Sequence, residues 1–174
     1  MKLFTQAEFD NFPIVDGYKQ CPSGNYTKIK KFEDDCVFGE NCKFGEYCEF
    51  GRRCHFGDHC EFGNCCSFGI WCVFGNLSNF GERCKFGAYS DFRYKCHFEN
   101  GHVAKDEYPL LAFSGFGTVH RTTYFFNCED GIWVRCGCFF GDIEQFRERV
   151  KKTRKGKHGK EYLMIADLVE MKWK

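Results

Sequence analysis

Cys36-Val37-Phe38-Gly39-Glu40-Asn41-Cys42-Lys43-Phe44-Gly45-Glu46-Tyr47-Cys48-Glu49-Phe50-Gly51 is the stretch on which the fold turns. Cys and Phe stand two apart, Gly follows Phe, and the set returns every six residues. Traced outward, Phe occupies positions 32, 38, 44, 50, 56, 62, 68, 74, 80, 86, 92 and 98 without a miss, and Gly follows it from Phe38 to Phe86. From Phe38 onward the residue two places before Phe is Cys36, Cys42, Cys48, Cys54, Cys60, Cys66, Cys72, Cys84 or Cys96, with Ser78 and Ser90 as substitutes. A repeat of this regularity governs every other signal in the chain.

A period of six does not suit a helix, where it would turn each Phe by about 240° from the last and scatter the apolar row. It suits short strands. Within Cys-x-Phe the two apolar side chains share one side, and their neighbours face the other. Gly is then expected to turn each corner with φ > 0. Strand, bend and repeat wind the chain into a parallel β-helix.

The unit resembles the hexapeptide repeat of left-handed parallel β-helices, with Phe in the usual aliphatic place and Cys in the usual small one. The resemblance implies three hexapeptides per triangular coil of eighteen residues. Residues 32–101 then make about four coils, about 19 Å tall at ~4.8 Å per coil. It also implies that residues eighteen apart stack. Asp34-Asp35 would lie beside Arg52-Arg53, and Lys43 beside Glu61, each an opposite-charge pair. The same corner carries Ile70-Trp71 and Ala88-Tyr89, and the next face carries Val37, His55, Val73 and Asp91. Ile70, Trp71, Val73 and Tyr89 form an outward apolar patch, read here as an oligomer interface. A homotrimer is the state the resemblance favours.

Twenty-two Phe and fourteen Cys among 174 residues, with a net charge of +1, are far from ordinary usage and carry no global basic footprint for nucleic acid. No apolar run reaches the ~18–20 residues of a membrane span. Met1-Lys2-Leu3-Phe4-Thr5-Gln6-Ala7-Glu8 meets an acid too early for a secretory signal, so none is expected. For the repeat cysteines, buried thiols that leave room for Phe rings come before disulfides or metal ligands, because parallel Cβ vectors and a spacing of six suit neither bond. Buried thiols imply a reducing compartment, hence the cytoplasm. No cofactor or metal is expected.

The chain divides into an N-terminal cap (1–31), the repeat (32–101) and a small α+β domain (102–174) of a hairpin and two helices, so the class is mainly β. Phe9, Phe12, Ile14 and Val15 precede the turn Cys21-Pro22-Ser23-Gly24 and serve as the cover a solenoid end needs. Leu110-Leu111-Ala112-Phe113 reads as a buried strand. Thr122–Phe126 and Ile132–Cys136 flank an Asp130-Gly131 hairpin tip. Asp142 and Gln145 open a helix as a capping box, and Gly156 is expected to end it. Tyr162, Ile165 and Val169 share one face of a second helix.

Chemistry concentrates in Ser114-Gly115-Phe116-Gly117-Thr118-Val119-His120-Arg121-Thr122-Thr123. Two Gly in a turn can aim N–H groups at an anion, and hydroxyls, His and Arg supply further donors. Ser114, Gly115, Gly117, Thr118, His120, Arg121, Thr122 and Thr123 are therefore the candidate ligand site, for an anionic, nucleotide-like molecule. The basic run Arg147, Arg149, Lys151, Lys152, Arg154, Lys155, Lys157 and Lys160 reads first as a solvated helix end. Cys136-Gly137-Cys138 is one residue short of the redox Cys-x-x-Cys pattern. Cys65 falls on a corner beside Cys66 and is expected at the surface.

The whole arrangement, with Arg121-Thr122-Thr123-Tyr124-Phe125-Phe126 and Gly137-Cys138-Phe139-Phe140-Gly141 after the repeat, resembles phage and prophage proteins built on Cys-x-Phe-Gly units. That resemblance implies a phage origin and carries no activity. By analogy with small phage proteins that capture host partners or signalling nucleotides, the chain is read as a non-enzymatic binder of an anionic ligand or a host protein, with a counter-defence function in the host cytoplasm. A structural tail component is the first alternative, since β-helices serve in tail fibres. A hexapeptide-repeat acyltransferase is the second. Those enzymes carry a catalytic His on an excursion loop, whereas His55, His59 and His97 are outward positions on unbroken coils.

Overall fold

The computed structural model describes residues 1–93, 95–105, 109–117 and 122–173. The chain forms two compact units, Met1–Tyr108 and Pro109–Lys174.

The first unit opens with α1 (Gln6–Asp10), whose Thr5 and Glu8 complete a capping box. An antiparallel pair follows, β1 (Ile14–Val15) and β2 (Tyr18–Cys21). The repeat then lays down β3 (Lys31–Phe32), β4 (Cys36–Phe38), β5 (Lys43–Phe44), β6 (Glu49–Phe50), β7 (His55–Phe56), β8 (Glu61–Phe62), β9 (Ser67–Phe68), β10 (Val73–Phe74), β11 (Asn79–Phe80) and β12 (Asp91–Phe92). They build three sheets, β1-β2-β4-β7-β10-β12, β5-β8-β11 and β3-β6-β9. Within the repeat every pair is parallel with an offset of eighteen residues, as in Phe56↔Phe74 and Phe44↔Phe62. This is a parallel β-solenoid of about four turns.

Stacked Phe rings fill the prism in three columns. One runs Phe44–Phe62–Phe80, with centroids 4.9 and 5.0 Å apart and ring planes within 5°. The others run Phe38–Phe56–Phe74 and Phe32–Phe50–Phe68–Phe86. Columns meet edge to face, for example Phe56 on Phe62 at 4.9 Å and 89°. Such pairs add about 0.5–1.5 kcal/mol beyond burial. The N-terminal segment joins this order. Tyr26 stands six before Phe32 and stacks on Phe44, Phe4 stacks on Tyr26, and Phe9 meets Phe32 edge-on.

The glycines work differently from the expectation. Gly39 to Gly87 of the repeat do not take positive φ. The left-handed residue is the one before each Cys or Ser: Asp35, Asn41, Tyr47, Arg53, His59, Cys65, Trp71, Leu77, Arg83, Tyr89 and Lys95, with φ between 51° and 63°. An L-residue there costs about 1–2 kcal/mol, and the turn aims its N–H at the next coil, as in Asn41 N–H to Asp58 O at 2.8 Å and Cys65 N–H to Glu82 O at 2.7 Å. Gly is required for close approach instead. A Cβ on Gly75 would lie 2.4 Å from the carbonyl carbon of Gly57. Where the last coil replaces Gly by Arg93 and Glu99, the Phe74–Phe92 and Phe80–Phe98 ring planes open to 19° and 23°, against 2–6° between Phe32 and Phe86.

All fourteen cysteines are free thiols. The buried ones in the repeat donate to the backbone: Cys66 Sγ to Gly45 O at 3.3 Å and Cys96 Sγ to Gly75 O at 3.3 Å. Ser78 and Ser90 use their hydroxyls on Gly75 O and Gly87 O in the same way. The position wants a small side chain with one donor. Burial pushes the Cys96 thiol up to about 12.

The second unit is a four-stranded antiparallel sheet, β13 (Leu110–Ser114), β14 (Thr122–Cys128), β15 (Gly131–Cys136) and β16 (Phe139–Asp142), followed by α2 (Ile143–Thr153) and α3 (Gly156–Trp173). Phe125, Val134, Ile143, Phe146, Val150, Tyr162, Ile165, Ala166 and Val169 make its core. The Asp142–Gln145 capping box forms as expected. Three details differ from the sequence reading. The strand β13 is an edge strand with Leu110 and Leu111 half-buried and Ala112 exposed. Helix α2 stops at Thr153 with Arg154 as its C-cap, and Gly156 opens α3 with φ +69°. Strand β16 pairs with β15 through Cys136↔Phe139, and its Phe139-Phe140-Gly141 carries no alternation by which to find it.

Candidate functional site

The Gly-containing turn leaves β13 at its end. Ser114 is exposed, and its hydroxyl lies 2.8 Å from that of Thr122 on β14. Gly115 has φ +80° with open space around it. Gly117 has φ +69° and lies against the Tyr162 ring, which a Cβ would penetrate. Its N–H donates to Glu161 Oε2 at 2.8 Å. That hydrogen bond, with further help from His158 and Lys157, holds the Glu161 carboxyl below its usual range. A carboxylate from α3, forty-four residues on, thus already occupies one donor of the turn. Thr123 is buried and donates to Cys136 Sγ at 3.4 Å, away from the turn. Thr118, His120 and Arg121 lie outside the described residues.

Beside Glu161 opens a groove of about 420 Å³, lined by Phe113, Phe116, Met164, Ile165, Leu168 and Met171 with Glu161 and Asp167. Its α3 side follows from spacing. Met164, Leu168 and Met171 recur at i, i+4 and i+7 on a face separate from the buried Tyr162, Ile165 and Val169. They are 68, 51 and 75% exposed, and Phe116 adds a further exposed ring. The sequence reading followed only the buried stripe of this helix and missed the second; the i, i+4, i+7 spacing was the signal.

Within the basic run, Arg147 is structural. It bridges to Asp167 and Glu170 of α3 and clamps the two helices. Lys152 and Lys157 have acidic neighbours on their own helices, Glu148 and Glu161.

On the solenoid, the expected apolar corner is present. Trp71 and Tyr89 stack with centroids 4.3 Å apart and planes within 15°, and both are exposed, as is Ile70, while Val73 is half-buried. Below them the corner continues as ion pairs, Arg53 to Asp35 at 2.6 Å and Arg52 to Asp34 at 3.2 Å. Lys43 meets Glu61 at 2.8 Å. Cys65, at another corner, is half-buried.

Among the described residues no group of three or more His, Cys, Asp or Glu is placed to hold a metal, and no helix is long and apolar enough to cross a membrane. The fold defines the class: a parallel β-solenoid joined to a small α+β unit. No protein-family model, curated protein or solved structure matches the chain.

Proposed function

We propose that the chain is a binding protein whose α+β unit captures a protein partner in the groove between Phe113–Phe116 and α3. The observation that carries this reading is the exposed Met164–Leu168–Met171 stripe. Contiguous apolar surface marks interaction sites, and unbranched, polarizable Met side chains adapt to a partner. The alternative ligand, a small anion in the Ser114–Thr123 turn, has to displace or accommodate Glu161 at the Gly117 N–H, so the groove is the stronger candidate. The resemblances noted above give this binder its setting, a phage-type protein with left-handed hexapeptide coils acting in the host cytoplasm. Self-association is assigned to Ile70, Trp71, Val73 and Tyr89, with a trimer as the expected state. The support there is a rigid wall that holds two stacked aromatic rings in water.

A photo-crosslinking residue at position 168, expressed in the host, tests the groove. One partner should be recovered, and its binding to the purified protein should be lost in Leu168→Glu while Lys155→Glu leaves it intact. If calorimetry finds nucleotide binding that Arg121→Ala abolishes, and Leu168→Glu changes nothing, the anionic-ligand reading replaces it. Light scattering on the parent and on Trp71→Ala/Tyr89→Ala tests the trimer; a monomeric parent refutes it.

A further inference from the structure

The tight turn between β15 and β16 brings two thiols to one cavity. Cys136 pairs with Phe139, so Gly137 and Cys138 are the central residues of a two-residue turn, and Gly137 takes φ +64°. Two peptide units span at most about 7 Å, and a turn shortens that into the Cα separation a disulfide uses. Cys136 and Cys138 both line a cavity of about 120 Å³ beneath α2, together with Arg149 and Arg154 and without any acidic residue. Cys138 and Arg149 also line an adjoining open cavity of about 400 Å³, whose further charged residues, Lys152 and Glu148, face each other at 3.9 Å.

Three features set this pair apart from the other cysteines. Cys138 is the one exposed thiol of the chain, and Cys136 is half-buried; the remainder are buried except half-buried Cys65. The buried Thr123 hydroxyl donates to Cys136 Sγ at 3.4 Å, which anchors that sulfur on the strand. Arg149 and Arg154 bring positive charge to the cavity that both thiols line, which favours anionic reagents there. The spacing Cys-x-Cys is too short for the helical redox motif, but a hairpin turn removes that objection.

We propose that Cys136 and Cys138 are a thiol–disulfide exchange site for disulfides of small, carboxylate-bearing thiols, with glutathione disulfide as the probe. The Cys138 thiolate attacks one sulfur of the probe, breaks its S–S bond and releases one thiolate, which takes a proton from water. The Cys136 thiolate then attacks Cys138 Sγ and expels the second thiolate, closing the Cys136–Cys138 disulfide. Two protein thiols lose two electrons and two protons, and one disulfide becomes two thiols. Arg149 and Arg154 hold the carboxylates of the probe. The site is independent of the groove on α3.

The test is incubation of the native full chain with glutathione disulfide, alkylation and peptide mapping by mass spectrometry. The peptide containing 136–138 should lose two hydrogens before any other cysteine reacts, and Cys136→Ser should stop at one glutathionyl adduct on Cys138. Arg149→Gln/Arg154→Gln should slow the reaction at least about tenfold, the lower end of electrostatic focusing. The same variant should keep its rate with neutral hydroxyethyl disulfide, which also shows that the turn is intact. Thiols persisting at 136 and 138 while Cys65 is oxidised, or equal slowing with both disulfides, would overturn the proposal.

Discussion

Phe62 and Phe125 are both buried aromatic residues on strands, yet they are held by different kinds of order. Phe62 stacks between Phe44 and Phe80 and meets Phe50, Phe56, Phe68 and Phe74 edge-on, and a Phe six residues away has the same neighbours shifted by one unit. Phe125 meets Phe113 from an edge strand and Phe146 from a helix, at 5.8 and 5.9 Å, in contacts that recur nowhere else. A repeated environment makes stability a sum over neighbouring coils. A unique environment leaves surface residues free to differ, and the groove and the dithiol turn both lie in that part of the chain.

The largest effect expected from breaking the repeat is in the ring columns. Phe62→Ala removes a ring stacked on both faces and should cost about 3–5 kcal/mol, read from denaturant unfolding. Phe98→Ala, on the tilted last coil, should cost clearly less. Equal losses at the two positions would mean that the stack is not additive along its axis.

Next come the glycines, whose roles differ between the units. Gly75→Ala drives a Cβ into the backbone of Gly57 and should cost about 2–3 kcal/mol. Gly115→Ala meets no atom but keeps φ +80°, for about 1–2 kcal/mol. Asn separates the causes. It visits positive φ readily, so Gly115→Asn should recover most of the loss, while Gly75→Asn should be worse than Gly75→Ala in thermal melts.

The same contrast explains what could be read without coordinates. The spacing of Phe and Cys gave the six-residue unit, the resemblance to hexapeptide β-helices implied eighteen residues per coil, and that coil length placed Lys43 on Glu61 and Asp35 on Arg53. The corner conformation was hidden because Asp35, Tyr47, Leu77 and Trp71 share no chemistry; the winding imposes positive φ on whichever residue stands there. In the α+β unit the capping box at Asp142 was local and legible. The Glu161–Gly117 hydrogen bond joins residues forty-four apart through a helix packing that no short pattern encodes. The dithiol turn depended on β16, which the sequence does not announce.

A smaller effect is expected at the helix clamp. Arg147→Met keeps most of the aliphatic stem and removes the bridges to Asp167 and Glu170. It should cost about 1–2 kcal/mol, since a charged hydrogen bond is lost at Glu170 while Asp167 is solvated. The melting transition of the α+β unit, followed by the fluorescence of Trp133 and Trp173, should shift down. No shift would mean that the core stripe of Tyr162, Ile165 and Val169 alone fixes α3.

The smallest effect belongs to the corner pairs of the solenoid and separates charge from backbone. The hydrogen bonds from Arg53 hold the Asp35 carboxyl below its ordinary 3.8, and the backbone N–H of Arg52 does the same for Asp34. A lowered folded-state value means that the unfolded chain binds the proton more readily. The stabilisation is therefore present above about pH 4 and lost as pH falls through the lowered values. Both pairs lie in water, so molar salt should remove the same contribution. Asp35→Asn keeps a side chain that tolerates the φ of +61° at this corner and deletes the charge with one of the two oxygens that accept from Arg53. Its slight loss in melting temperature at neutral pH should vanish in acid and in high salt. Asp35→Ala adds the cost of a left-handed residue without a polar side chain, which neither acid nor salt can remove. The gap between the two variants in molar salt then measures the corner strain itself. A gap near zero would show that the stacked coils, and not the residue at the corner, carry the cost of the turn.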